Sequence, residues 1–175
     1  MTFDDGPSIY TEQIINILKE YNISAIFFFI GCNIEEHKEA VYYTHSNGLT
    51  IGNHSFSHRR PSLMTQEQQK EDIMRTNEII EDLLDYKIKY YRPPYGEVSK
   101  ELEQVINEID MKTVLWNKDP ADWDKKDSNQ ILQYVMETKP YGGIYLLHEK
   151  PETVEALPMI IEFLLKQGIE FVCFD

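Results

Sequence analysis

Cysteine is scarce in this chain. Only Cys32 and Cys173 occur among 175 residues, and no CxxC spacing is present. A cysteine-based metal centre is therefore not expected. Each cysteine follows or sits within an apolar run, so two buried free thiols are expected, with a Cys32–Cys173 bridge as the alternative. Long hydrophobic runs are also absent. No segment approaches the roughly 20 apolar residues a membrane span needs, and no secretory leader is recognisable before the first polar motif at Asp4. The expectation is either a cytoplasmic protein or a fragment that lacks an export segment. Positive charge is in short supply: 17 Lys and Arg stand against 30 Asp and Glu, a formal net charge of −13. That balance argues against a nucleic-acid backbone as partner. Linkers, low-complexity tracts and internal repeats are missing too, so residues 1–175 read as one domain with enough chain for a substantial core.

What is present is a strict alternation of short apolar runs and amphipathic stretches. Residues Ala25–Ile30, Leu49–Gly52, Ile88–Tyr91, Thr113–Trp116, Ile144–Leu147 and Ile169–Phe174 have the length and the β-branched and aromatic content of buried strands. Met1–Phe3 forms the stub of a further first strand. Helical periodicity lies between them: Ile14, Ile15 and Leu18 share a face, and Thr65–Asp85 opens on a capping box, Thr65-x-x-Gln68. Val98–Ile109, Ser128–Met136 and Thr153–Lys166 follow, the last closed by Gly168. About seven strands and six helices in βα order predict a parallel α/β fold. Both a closed or nearly closed barrel and an open doubly wound sheet fit this order, and the strand number favours the barrel.

Nearly every expected strand ends in a chemistry-bearing residue, and in a parallel fold those ends open onto one face. His54-Ser-Phe-Ser-His58 is an i, i+4 pair which, on a helical turn, sets two imidazoles on one side, close enough to share a cation. His37 and His45 lie on an amphipathic segment and read as surface residues. A zinc site with an open position needs a third ligand, which Asp4-Asp5 can supply with a carboxylate to spare. One Asp would anchor the cation while the other takes a proton from its water; the same Asp-Gly-Pro-Ser stretch is also ordinary turn chemistry. In Arg92-Pro-Pro-Tyr95-Gly96 the prolines leave the Tyr95 N–H as the next free donor, and Arg92 is suited to grip one Asp bidentately. Asp119-x-x-Asp122-Trp123 offers a carboxylate and a large aromatic. Leu146-x-His148 ends a strand in an imidazole, which is either a core histidine or, with Asp122 beside it, a general acid. Aromatic residues make up 12% of the chain, compatible with stacking on sugars.

Taken in order, Thr2-Phe3-Asp4-Asp5-Gly6-Pro7, His54–His58, Arg92–Gly96, Asp119–Trp123 and Leu146–His148 resemble the five motifs of the NodB-type polysaccharide deacetylases, carbohydrate esterase family 4. The resemblance spans essentially the whole chain. It implies a distorted (β/α)7 barrel that removes N-acetyl groups from N-acetylglucosamine-containing polymers such as peptidoglycan or chitin-type oligomers. It further implies Asp5, His54 and His58 as ligands of one divalent metal, commonly Zn2+, and Asp4 as the base, held by Arg92. The Tyr95 N–H would stabilise the oxyanion, and His148 would be the acid tuned by Asp122. Trp123, Leu146 and Tyr95 would line the substrate pocket. The family's setting implies an extracytoplasmic or cell-wall location, and a monomer is expected. One departure is visible: only Met1–Phe3 precede Asp4, so the first strand is expected to be short or truncated, with an open seam beside it. Two other readings share these residues: hydrolysis of a cyclic amide or an O-acetyl ester, and a non-catalytic glycan-binding domain.

Overall fold

The computed structural model describes residues 1–125 and 127–174. Six parallel strands, β1 (Thr2–Gly6), β2 (Ile26–Phe29), β3 (Thr50–Asn53), β4 (Tyr90–Tyr91), β5 (Lys112–Thr113) and β6 (Leu146–His148), form one sheet in the order β5-β4-β3-β2-β1-β6. Six helices alternate with them: α1 (Thr11–Glu20), α2 (Lys38–Ser46), α3 (Gln66–Leu84), α4 (Lys100–Glu108), α5 (Ser128–Glu137) and α6 (Pro151–Lys166).

Side-chain alternation divides the apolar residues into two layers. Phe3, Phe27, Phe29, Ile51, Tyr91 and Leu147 point outward and join the helices in the main core. Ile26, Phe28, Tyr90 and Val114 point the other way and form a smaller inner cluster. Glycine at position 52 is needed in that inner layer, because a Cβ there would lie 2.5 Å from the Phe28 ring. Arg92 shows that the sheet curls. Its guanidinium bonds Thr2 and Asp4 of β1 and also the carbonyls of Val114 and Leu115 just beyond β5. Those strands are separated by three others in the sheet order, so only a strongly coiled sheet brings them within reach of one side chain. A parallel bridge between Lys118 and Tyr145 links the segment after β5 to the lead-in of β6. The result is an incomplete barrel with helices outside.

Local sequence signals position the helices well. Thr65 caps α3 with both halves of the capping box in place. The end of α6 has the two reverse bonds of a Schellman motif, Gly168 N–H to Leu165 and Ile169 N–H to Leu164, around Gly168 at φ +74°. Ser99 and Asp127 cap α4 and α5 through their side chains.

Three expectations are corrected. The first strand runs five residues through both aspartates and pairs with β2 on one side and β6 on the other, so no seam opens beside it. The expected strand at Ile169–Phe174 is not among the paired strands. Cys173 instead packs on the inner cluster and Phe174 meets Tyr90 with ring centroids 5.8 Å apart, while Val172 is exposed. β-propensity there finds no ladder partner, and tertiary context overrides it. Both cysteines are free, as expected, but neither is fully buried: Cys32 is exposed and Cys173 partly so. No helix among the described residues is long and apolar enough to cross a membrane.

Candidate active site

The site begins with a break in β1. The pairing register with β2 shifts between Asp4 and Gly6, and Asp5 adopts a left-handed backbone with φ 69°. Consecutive side chains of a strand point to opposite faces; the bulge instead re-aims Asp5 so that both carboxylates serve one cleft. Asp4 is buried at 2% exposure, whereas the Asp5 side chain is 42% exposed. The Asn33 side chain bonds the Asp5 carbonyl at 3.1 Å and the Ile30 N–H bonds the Gly6 carbonyl at 2.7 Å.

The two histidines do not lie on a helical turn. Residues 54–58 form a loop in which Ser55 and His58 both have positive φ. Asn53 accepts the Ser55 N–H, Ser55 Oγ accepts the His58 N–H, and Asp72 accepts the N–H groups of Phe56 and Ser57. These short polar side chains replace the helical bonds, and they still bring the imidazoles to 4.9 Å between centroids.

His54 Nε2 and His58 Nε2 stand 3.5 and 3.3 Å from Asp5 Oδ1. The Nδ1 of His54 is 2.7 Å from the Arg92 carbonyl, which can only accept, so that nitrogen carries the ring proton. Burial holds the His54 pKa down at about 3, so Nε2 is a bare lone pair facing a carboxylate. Asp5 Oδ1 is itself buried without a hydrogen-bond partner. Ligand atoms from Asp5, His54 and His58, one from each and all within 4.8 Å of one another, fit a bound cation. The backbone carbonyl behind His54 is the kind of outer partner that metal-binding imidazoles use.

Arg92 fixes the other carboxylate. One nitrogen, Nη1, bonds both Asp4 Oδ1 and Thr2 Oγ1 at 2.7 Å, while Nε and Nη2 go to the carbonyls of Val114 and Leu115. The grip on Asp4 is therefore single-pronged rather than bidentate, because the curled sheet claims the rest of the guanidinium. Burial raises the Asp4 pKa above the ordinary carboxylate value against the pull of Arg92 and His148. After Arg92, the turn bonds of Gly96 to Pro93 and Glu97 to Pro94 pass over Tyr95, which has φ 60°. Its ring lies 5.0 Å from that of His58 on one side and 4.0 Å from the Arg60 guanidinium on the other.

Across the cleft, His148 Nδ1 meets Asp122 Oδ1 at 2.7 Å, and the other Asp122 oxygen accepts from the His148 N–H and from Thr153 Oγ1. His148 Nε2 is 4.0 Å from Asp5 Oδ2. Burial alone would lower the His148 pKa; Asp122, with Asp4 and Asp5, outweighs it and raises the value. Asp4, Asp5, His54, His58, Tyr95, Trp123, Leu146 and His148 thus all line one cleft of about 530 Å³. A larger groove of about 680 Å³ beside α1 is rich in surface glutamates, but Asp5, His54 and His58 are the ligand group found among the described residues.

Sequence reasoning missed several contributors. Trp116 and Arg60 also line the cleft, and Asn33, Asn53, Asp72 and Glu149 build its walls. Trp116 was legible only as the end of a strand. The others make bonds across 15 to 141 residues of sequence, and no local signal marks such partners.

Comparison with known proteins identifies the family and the fold. The Polysaccharide deacetylase family profile matches residues 1–114. A peptidoglycan-N-acetylglucosamine deacetylase of Bacillus cereus is 33% identical over 98% of this chain, which covers 65% of that relative's length. A family 4 carbohydrate esterase from Streptomyces lividans, solved with acetate, superposes with a TM-score of 0.92 at 30% identity, covering 99% of this chain and 91% of the other. A family 4 pseudoenzyme from Bacillus anthracis reaches the same TM-score at 27% identity, over 97% of this chain and 61% of the other. The match in profile, sequence and fold places this chain in the polysaccharide deacetylase family.

Proposed function

We propose that residues 1–175 form one catalytic domain that hydrolyses N-acetyl groups from N-acetylglucosamine-containing polysaccharide, with peptidoglycan ahead of chitin-type oligomers. The observation that carries this reading is the convergence on one cleft of a three-ligand cation site, a buried carboxylate held by arginine, and an imidazole paired with a buried aspartate. The pseudoenzyme relative warns that fold alone does not give turnover. Here the full set of candidate groups is retained, which supports an active enzyme. The B. cereus relative supports peptidoglycan as the polymer, and with it a cell-wall site of action.

Asp5, His54 and His58 would hold one divalent cation, and two imidazoles with one carboxylate suit Zn2+. Such a cation supplies Lewis acidity to the acyl oxygen and to the attacking water. Asp4 takes the proton from that water; its raised pKa makes it a better base than an ordinary carboxylate, and Arg92 keeps it aimed. The Tyr95 N–H, left out of the turn's own bonds, donates to the developing oxyanion. His148 Nε2 gives its proton to the departing amine while Asp122 holds Nδ1–H and stabilises the imidazolium. Leu146, Trp123 and the Tyr95 ring enclose the acetyl methyl and the sugar.

Asp122→Asn follows directly from the sign of the His148 shift. The variant loses the charge that raises His148, so the imidazole deprotonates at lower pH. The alkaline limb of the kcat/KM profile is expected to move toward lower pH, with kcat reduced about 10²-fold or more. An unmoved limb would remove His148 as the acid.

Acetate release from N-acetylglucosamine oligomers and from peptidoglycan by the zinc-loaded protein tests the whole reading. Release from either establishes the deacetylase and ranks the polymers. Release only from O-acetylated xylan would make the chain an esterase, and glycan binding without any release would make it a binding domain.

A further inference from the structure

Glu149 directly follows His148, is 7% exposed, and has no part in the chemistry above. Its Oε2 accepts from both Ser8 Oγ and Thr11 Oγ1 at 2.5 Å. Each hydroxyl also accepts a backbone N–H, from Tyr10 and Ser8 respectively, so its single proton is directed to the carboxylate. Oε1 is buried without a partner against Gly6, where a Cβ would come within 2.0 Å of it. The Glu149 N–H reaches the Asp4 carbonyl at 3.4 Å. One residue of the β6 end is therefore fastened to the Asp4–Thr11 segment from strand to helix.

That segment contains the left-handed Asp5. A non-glycine residue holds such a backbone only where its surroundings over-determine it. Asn33 and Ile30 fix the turn from the β2 side through the Asp5 and Gly6 carbonyls. From the β6 side, the side-chain contacts that grip it past Gly6 are those of Glu149.

We propose that Glu149 is a positioning residue: through Ser8 and Thr11 it holds the Asp5 turn in the conformation that lets Asp5 share a cation with His54 and His58. This rests on the metal-site reading above. Without the clamp, Asp5 relaxes toward ordinary extended geometry and its carboxylate turns away from the imidazoles.

The test is the zinc dissociation constant, read by chelator competition, for the parent, Glu149→Ala, and the double variant Ser8→Ala/Thr11→Val, which removes the donors and leaves β6 untouched. Each variant is first checked for a cooperative melt without metal. Both are expected to bind zinc 10- to 100-fold more weakly than the parent, the range for loss of an outer-shell partner. Combining all three changes is expected to weaken binding no further than Glu149→Ala, since both remove one contact. Folded variants that bind zinc within twofold of the parent overturn the proposal, as does a loss in Glu149→Ala that the double variant does not share. If Glu149→Ala does not fold, the double variant alone decides. A parent that binds no zinc would instead defeat the metal-site reading.

Discussion

Replacing Asp4 with asparagine is expected to leave a folded protein that still binds zinc but turns over roughly 10²–10⁴ times more slowly. Asp4 lies outside the ligand trio; its Oδ2 is 3.6 Å from His54 Nε2, and its Oδ1 belongs to Arg92. Asparagine keeps the shape and an oxygen for the Arg92 bond but cannot take a proton from water. The loss corresponds to about 2.7–5.4 kcal/mol of barrier. The exchange also removes the negative charge paired with a fully buried guanidinium. Arg92 keeps Thr2 and two carbonyls as acceptors, so the stability cost should stay near roughly 1–3 kcal/mol rather than unfold the chain. The measurements are kcat on an acetylated oligomer, bound zinc, and the thermal midpoint. Parental turnover in Asp4→Asn would mean that another group is the base.

His54→Ala should do the opposite: metal and turnover disappear together. The imidazole is the buried ligand of the trio, and its Nε2 lone pair has both aspartates within 3.6 Å. Its removal leaves Asp5 and the more exposed His58. Loss of an outer-shell partner already weakens binding 10- to 100-fold, so zinc affinity should fall by more than about 100-fold. Thermal shift separates this from a purely catalytic defect. At zinc about 100-fold above its dissociation constant the parent gains about 2.7 kcal/mol from binding, and the variant at that same concentration should gain little. The bond from His54 Nδ1 to the Arg92 carbonyl is lost as well, so the metal-free variant should melt somewhat below the metal-free parent. A variant that still holds one zinc per chain would show that the ligands lie elsewhere.

The two variants probe features that differ in how far the sequence revealed them. That Asp4 and Asp5 divide the labour was read from the residues themselves, and the family resemblance implied which takes which role. How adjacent strand residues come to face one cleft was legible in neither, because the answer is a bulge and a positive φ at a residue that is not glycine. The His54–His58 pair does come together, but for a different local reason. The i, i+4 spacing suggested a helical turn, whereas the proximity comes from a loop tied by Asn53, Ser55 and Asp72. Arg92 was expected to grip an aspartate with two prongs. It uses one, because strand curvature brings the carbonyls of Val114 and Leu115 to its other nitrogens.

The chain's own order of residues determined what is local. Alternation of apolar and amphipathic segments gave the parallel α/β class, the Thr65–Gln68 box started α3, Gly168 ended α6, and strand ends announced the site. Tertiary structure decided what depends on distant partners: that Cys173 and Phe174 lie against the inner cluster instead of pairing, and that Glu149 reaches back to Ser8 and Thr11. The physical reason is common to all of these. Helix periodicity and capping act over a few residues, whereas strand pairing, coiling of a sheet and satisfaction of buried polar groups are settled between segments more than a hundred residues apart.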